Sequence, residues 1–305
     1  MTHDVAILGI FAADTAYRAA RMPAMGETIL GDSFALNPGG KGSNQSVAAA
    51  RAGGSVAFLS RIGKDTFGQL ALDTWREAGV TFAGLSDPEH PTGAAFIFVD
   101  SASGDNSIIV APGAAGQISV ADVEGWAEAI SSATIFLCQL EQPLDAAFRA
   151  LEIAQNAGVR TILNPAPATD LPDGMLGLCD LITPNESEAE RLTGGRVTDI
   201  ASAEAAGRNL MDQGAGAAIV TMGEAGALYV GRDAVSHVPG LSAGPVIETT
   251  GAGDAFNGGL AVALAEGMPM DRALRFANAT AAISVTRAGA APSMPARTEI
   301  EALLG

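Results

Sequence analysis

Short apolar runs bounded by turn residues alternate with amphipathic patterns along most of the chain. VAILGI (5–10), VAFLSRIG (56–63), TIFLCQL (134–140), VRTILNPA (159–166), LCDLIT (178–183) and AAIVTMG (217–223) read as strands buried on both faces. Between them, SNQSVAAARAG (43–53), FGQLALDTWREAG (67–79), DAAFRALEIAQNAG (145–158) and ESEAERLTG (186–194) carry helical spacing. Gly53, Gly79 and Gly158 follow the last periodic residue, where a left-handed residue closes a helix. Strands alternating with helices predict βαβ units and a mainly parallel sheet in a layered α/β fold.

Two regions break the alternation. Residues 11–36 and 92–111 hold short strand-like runs between turn residues, and SGDN (103–106) fits a loop joining AAFIFV to SIIV. They predict a small β appendage over one edge, with 1–10, 37–91 and 112–305 forming the core. Antiparallel edge strands without a function fit the same pattern.

Composition narrows the functions. The 305 residues carry a formal charge of −17, which opposes binding to nucleic acid or an anionic membrane. No apolar run reaches the roughly 18 residues of a membrane span and the N-terminus lacks signal-peptide features, so a cytoplasmic protein is expected. Cys138 and Cys179 lie in apolar runs without a CxxC, which reads as buried reduced thiols. His3, His90 and His237 show neither metal spacing nor a triad signature and read as surface residues.

Two glycine clusters remain. NPGGKGSN (37–44) places Lys41, one of just two lysines, among Gly39, Gly40 and Gly42, with a helix expected from about Ser43. It matches neither the P-loop nor the dinucleotide fingerprint, because Gln45 stands where the latter needs its third glycine. Close backbone and an amide at Asn44 suit a polyhydroxylated ligand; a plain turn with Asn44 at the helix start is the alternative. In TTGAGDAF (249–256), Phe256, Leu260 and Leu264 mark a helix whose first amides, at Ala252, Gly253 and Asp254, can hold an anion. Asp254 is then either an N-cap or a base beside a bound phosphate, and Gly251 and Gly253 cost more backbone entropy than a cap requires. Asn185 and Glu188 match a reciprocal cap. Asp14, Glu141, Asn185 and Thr221 follow strands, so in a parallel sheet their loops meet beyond the carboxyl ends.

NPGGKGSNQSVAAARAG, LNPAPA, ITPNESEAERLTG, GAGDAFNGG and VTRAGAAPS, in this order, resemble the phosphofructokinase-B (PfkB) carbohydrate kinase family over almost the whole chain. The resemblance implies a three-layer α/β sandwich with a nine-stranded-class sheet and a small β lid (11–36 and 92–111) over the sugar, with dimers formed through the lids. It implies ATP-dependent phosphorylation of the primary hydroxyl of a pentofuranose, ribose first. Asp14, Gly40, Lys41, Gly42, Asn44 and Glu141 would face the sugar. Asn185, Thr221, Gly223, Gly226, Gly253 and Asn278 would line the ATP site, and Glu188 would hold Mg2+ through water. Asp254 would be the general base, with Gly251, Ala252 and Gly253 forming the anion hole.

Two departures stand out. Members acting on ribose carry Asn two residues before the sugar-binding Asp, where this chain has Ala12. Glu248 replaces the usual Asp at a candidate potassium site with Thr250, Ser284, Arg287, Gly289 and Ser293. A kinase for another sugar or a nucleoside is the near alternative, although NPGGKGSNQS and LEQP favour a small sugar. A non-catalytic sugar or nucleotide sensor is the distant one, and a nicotinamide dehydrogenase lacks its glycine fingerprint.

Overall fold

The computed structural model describes residues 3–305. In chain order the strands are β1 (Val5–Leu8), β2 (Ala12–Ala19), β3 (Ser33–Gly39), β4 (Val56–Leu59), β5 (Arg61–Gly63), β6 (Thr81–Phe82), β7 (Leu85–Asp87) and β8 (Thr92–Asp100). They continue as β9 (Asn106–Gly113), β10 (Ile135–Cys138), β11 (Arg160–Leu163), β12 (Leu181–Ile182), β13 (Ala218–Thr221), β14 (Ala227–Val230) and β15 (Val235–Val238). The helices are α1 (Lys41–Arg51), α2 (Thr66–Ala78), α3 (Val120–Gly125), α4 (Ala127–Ser131), α5 (Leu144–Asn156), α6 (Glu186–Thr193), α7 (Ile200–Asp212), α8 (Ala252–Ala265), α9 (Met270–Ser284) and α10 (Arg297–Leu304).

A nine-stranded sheet runs β15-β14-β13-β12-β11-β10-β1-β4-β6. It is parallel from β6 to β13, and β14 and β15 close the far edge antiparallel. Alternate residues of β1 enter opposite cores. Val5 and Ile7 pack with α1, α2, α8 and α9, whereas Ala6 and Leu8 pack with α5 and the α3–α4 segment. That two-sided burial explains why the central strands read as unbroken apolar runs, and it makes three layers.

A second sheet, β3-β2-β8-β9, is built largely from the irregular regions but runs past their expected bounds, to Gly39 on β3 and Gly113 on β9, with a hairpin between β8 and β9. Its edge strands are exposed: Phe34 and Leu36 on β3, and Ile108, Ile109 and Val110 on β9, all face solvent. VAFLSRIG is split rather than continuous. Its first half joins the large sheet as β4, and its second half turns away as β5 to pair with β7.

Candidate active site

The sites expected from the loops gather at the carboxyl ends of the parallel strands. α1 starts at Lys41, two residues earlier than the glycine cluster suggested, because Gly40 turns the chain sharply with φ 88°. A side chain at Gly40 would place its Cβ 2.6 Å from the Ile10 carbonyl oxygen. Strand β3 therefore feeds directly into α1. Glu141, just past β10, accepts the Lys41 backbone N–H at 2.8 Å, and Asp14 on β2 packs its carboxylate against Gly39.

α8 lies against α1 at close range, since a Cβ at Gly258 would meet that of Ala48 at 2.6 Å. This approach brings Asn44 and Gln45 onto Asp254. Asn44 Nδ2 donates to one carboxylate oxygen and Gln45 Nε2 to the other, each at 3.0 Å. Asp254 is not an N-cap: Gly251, with φ 80°, takes that position without a side-chain bond, and Asp254 is the third helical residue. Asn44 likewise lies inside α1 rather than at its start.

The run of open amides at the start of α8 is shorter than the sequence suggested. The Ala252 N–H turns back onto the Thr249 carbonyl at 3.2 Å, because the left-handed Gly251 tightens the turn. Among the described residues, the Gly253 and Asp254 N–H groups have no backbone acceptor, and a Cβ at Gly253 would meet open space. Those two amides remain available at the positive end of the helix dipole.

A cavity of about 150 Å3 joins these groups to α6, lined by Lys41, Asn185, Glu188, Thr221 and residues 251–254. Asn185 and Glu188 form the reciprocal cap as expected: Asn185 Oδ1 accepts the Glu188 N–H at 2.8 Å, and Glu188 Oε2 accepts the Asn185 N–H at 2.9 Å. Thr221 pairs with Asn185 by an isolated bridge, holding α6 to the end of β13. The Glu188 carboxylate keeps its other oxygen free of this cap. A larger concavity, about 380 Å3 between Arg272, Arg275 and Arg297, contains none of these residues.

The charges are coupled. Burial raises the Asp14 carboxyl to about 6, and the nearby Asp254 adds to it. Burial raises Glu141 to about 7 against the pull of Lys41, with Asp254 and Asp14 adding to the rise. Burial likewise raises Asp254, opposed by Lys41 and by the Asn44 and Gln45 amides. For Lys41 burial opposes the charge, but Asp254, Glu141 and Glu188 outweigh it and hold the ammonium above its usual range. One cation thus sits among three carboxylates, and Asp14 adds a fourth acid beside Asp254.

Asp14, Asn44 and Glu141 do not line this cavity, and further expected residues lie outside it as well. Asn278 donates to the Val238 and Pro239 carbonyls at 3.1 Å each, and Gly226 packs on the same segment. They shape the chain beside a groove of about 330 Å3 lined by Glu224, Gly240 and Val285, next to Gly223. At the candidate potassium site, Glu248 and Ile247 N–H groups meet the Val285 carbonyl, and Glu248 Oε2 accepts from Gly289 N–H at 2.8 Å. The Ser284 and Ser293 hydroxyls donate to backbone carbonyls, Arg287 pairs with Glu299, and Thr250 is exposed. The three histidines lie partly exposed at the surface, as expected: His3 contacts Ser55, His90 contacts Asp87 and His237 contacts the Ala225 carbonyl.

Sequence reasoning passed over Asn164, Thr183 and Asn257, and treated Gln45 only as a missing glycine. All four are buried and bonded to polar groups on other elements, so no local pattern marked them.

Residues 2–297 match the sequence profile of the pfkB family carbohydrate kinases. The chain belongs to that family. This carbohydrate kinase is 41% identical to a ribokinase of Haemophilus influenzae, over 98% of this chain and 97% of the relative. It is 36% identical to a deoxyribokinase of Salmonella typhi, over 96% of this chain and 95% of that one. The structure of Arabidopsis thaliana ribokinase complexed with ribose and ATP matches with a TM-score of 0.94 at 32% identity, covering 100% of this kinase and 99% of the other chain. Family membership sets aside the dehydrogenase.

Proposed function

We propose that this kinase transfers the γ-phosphate of ATP to the primary hydroxyl of ribose, giving ribose 5-phosphate, with Asp254 as the general base. The observation carrying the reading is the buried Asp254 carboxylate, held by two side-chain amides beside two unpartnered backbone N–H groups at one helix start. Ribokinase relatives, one of them in complex with ribose and ATP, support the substrate pair.

Asp254 takes the proton of the sugar hydroxyl as its oxygen bonds to the γ-phosphorus, and the bond to the β-phosphate bridging oxygen breaks to release ADP. The Gly253 and Asp254 N–H groups and Lys41 stabilise the negative charge on the phosphoryl oxygens. Asp14, Asn44 and Glu141 accept or donate to sugar hydroxyls, while Asn185, Thr221 and the groove beside Asn278 receive the nucleotide. Glu188 would hold Mg2+ through water. A donor set with one carboxylate fits an ion bound mainly by phosphate oxygens, and no cluster of three acidic, His or Cys ligands occurs among the described residues. When bound, the ion neutralises phosphate charge.

Ala12 favours a second reading, a 2-deoxy sugar: this buried methyl beside Asp14 offers no hydrogen bond where a hydroxyl enters. The protein is further read as a cytoplasmic homodimer. The exposed apolar edges of the second sheet, with Tyr17 and Phe34 rings 5.0 Å apart, support a copy-to-copy contact there. Among the described residues no helix is long and apolar enough to cross a membrane. Potassium activation is retained as part of the reading, with Glu248 already bound to Gly289 as its weak point.

The test is a panel of pentoses, deoxypentoses, hexoses and nucleosides with ATP and magnesium, in potassium and in a bulky organic cation. Ribose phosphorylated at its primary hydroxyl is the expected product, faster in potassium. Nucleoside phosphorylation, or no acceptor-dependent ATP consumption, would overturn the reading; sedimentation at the monomer mass would remove the dimer.

A further inference from the structure

Gln45 is fully buried one turn into α1, outside the cavity lining. Its Nε2 donates to Asp254 Oδ1 and to Asn164 Oδ1, both at 3.0 Å, and its Oε1 accepts from Gln139 Nε2 at 2.5 Å. These partners allow one orientation of the amide. A flipped Gln45 would face two acceptor oxygens with a third and meet the Gln139 donor with another donor. The chain of bonds continues through Asn164 Nδ2 to the Thr183 carbonyl at 3.1 Å and Thr183 Oγ1 to Asn257 Oδ1 at 2.6 Å. It then returns to α8, where Asn257 Nδ2 donates to the Gly253 carbonyl at 2.8 Å. The Asp254 side chain and the backbone of its anion hole are therefore tied to one network.

We infer that Gln45 is a positioning residue, whose amide sets the rotation of the Asp254 carboxylate and keeps its free lone pairs turned towards the acceptor hydroxyl. This rests on Asp254 being the base. Asn44, the other donor to Asp254, is 6% exposed and its Oδ1 has no hydrogen-bond partner, whereas Gln45 has no exposed surface and both ends of its amide are bonded. Without Gln45 the carboxylate loses a donor that favours its ionised form, so its protonation moves to higher pH. Lys41, Asp14, Glu141 and Glu188 also act electrostatically on Asp254, but none is bonded to Gln45.

Gln45→Met keeps the length and removes the donor. The expected result is a kcat lower by about 10- to 100-fold, KM values for sugar and ATP within about threefold, and an acid limb of kcat displaced upward by about one pH unit. Gln139→Met removes one of the three groups that orient Gln45, and should move both readouts in the same direction by less. A role confined to packing would lower Tm and leave kcat and the acid limb in place; that result in folded Gln45→Met overturns the inference. Should Gln45→Met fail to fold, an unchanged kcat and acid limb in Gln139→Met overturns it equally. Asp254→Asn separates the two levels: retained turnover there removes the base itself, whereas lost turnover beside wild-type-like glutamine variants removes only the role of Gln45.

Discussion

Helices α6 and α8 open onto the same cavity, and each has an acid as its third residue. In α6, Glu188 bonds the Asn185 N–H and completes a cap within its own helix. In α8, Asp254 makes no cap; its two oxygens are held by side chains of α1, and the N–H groups around it stay open. The same residue class at the same helical position therefore does opposite things. What distinguishes them is whether local backbone donors or distant side-chain donors satisfy the carboxylate.

The sharpest way to break this contrast is to neutralise each acid. Asp254→Asn is expected to fold and bind both substrates while losing about 10²- to 10⁴-fold in kcat, read by steady-state kinetics. Glu188→Gln, which keeps an acceptor for the Asn185 N–H, should lose less and show it mainly in KM for the magnesium–nucleotide complex. Equal losses would mean that the two acids share one role.

A smaller effect separates the glycines ahead of Asp254. Gly251→Ala forces a methyl into left-handed backbone and to within 2.9 Å of the Ala290 Cβ, so a stability loss of about 1 to 3 kcal/mol is expected in thermal melts. Gly253→Ala meets nothing within 4 Å and should keep or slightly raise Tm. Its methyl nevertheless enters the space where phosphate would approach, and kcat/KM should fall by at least about tenfold. Full activity in Gly253→Ala would show that the ligand keeps its distance from this backbone.

The smallest effect concerns the acids around Lys41. Asp14 and Glu141 are raised to about 6 and about 7, so the folded ligand-free protein binds more protons than the unfolded chain between roughly pH 4 and pH 7. Their contribution to stability is full below the unfolded values and is lost as pH rises through that window. Denaturant melts without ligand should show stability decreasing towards neutrality from these groups, on the order of 1 to 3 kcal/mol. Glu141→Gln should flatten the slope, and an unchanged slope would place Glu141 in better solvated surroundings.

Much of the fold was legible because the central strands are apolar on both faces and the helices between them carry clear spacing. The splitting of VAFLSRIG was not, since β5 leaves the sheet through pairing with β7, a contact 24 residues away in register between Arg61 and Leu85. At the site, the glycine clusters and the polar residues after strands announced themselves locally. Gln45, Asn164 and Thr183 did not, because their partners lie on other elements and only the close packing of α1 on α8 brings them together. The choice between cap and base at Asp254 was likewise undecidable from spacing, as Glu188 demonstrates.

Cys138 and Cys179 lie in the layer opposite α1 and α8, almost wholly shielded, with burial pushing the Cys179 thiol up to about 12 and Cys138 well above its usual range. Alkylation at neutral pH consequently has to wait for that side of the sandwich to come apart. The two sulfurs form a built-in stopwatch for opening of the face remote from catalysis, and its slowing by nucleotide would measure how far ligand grip propagates through the sheet.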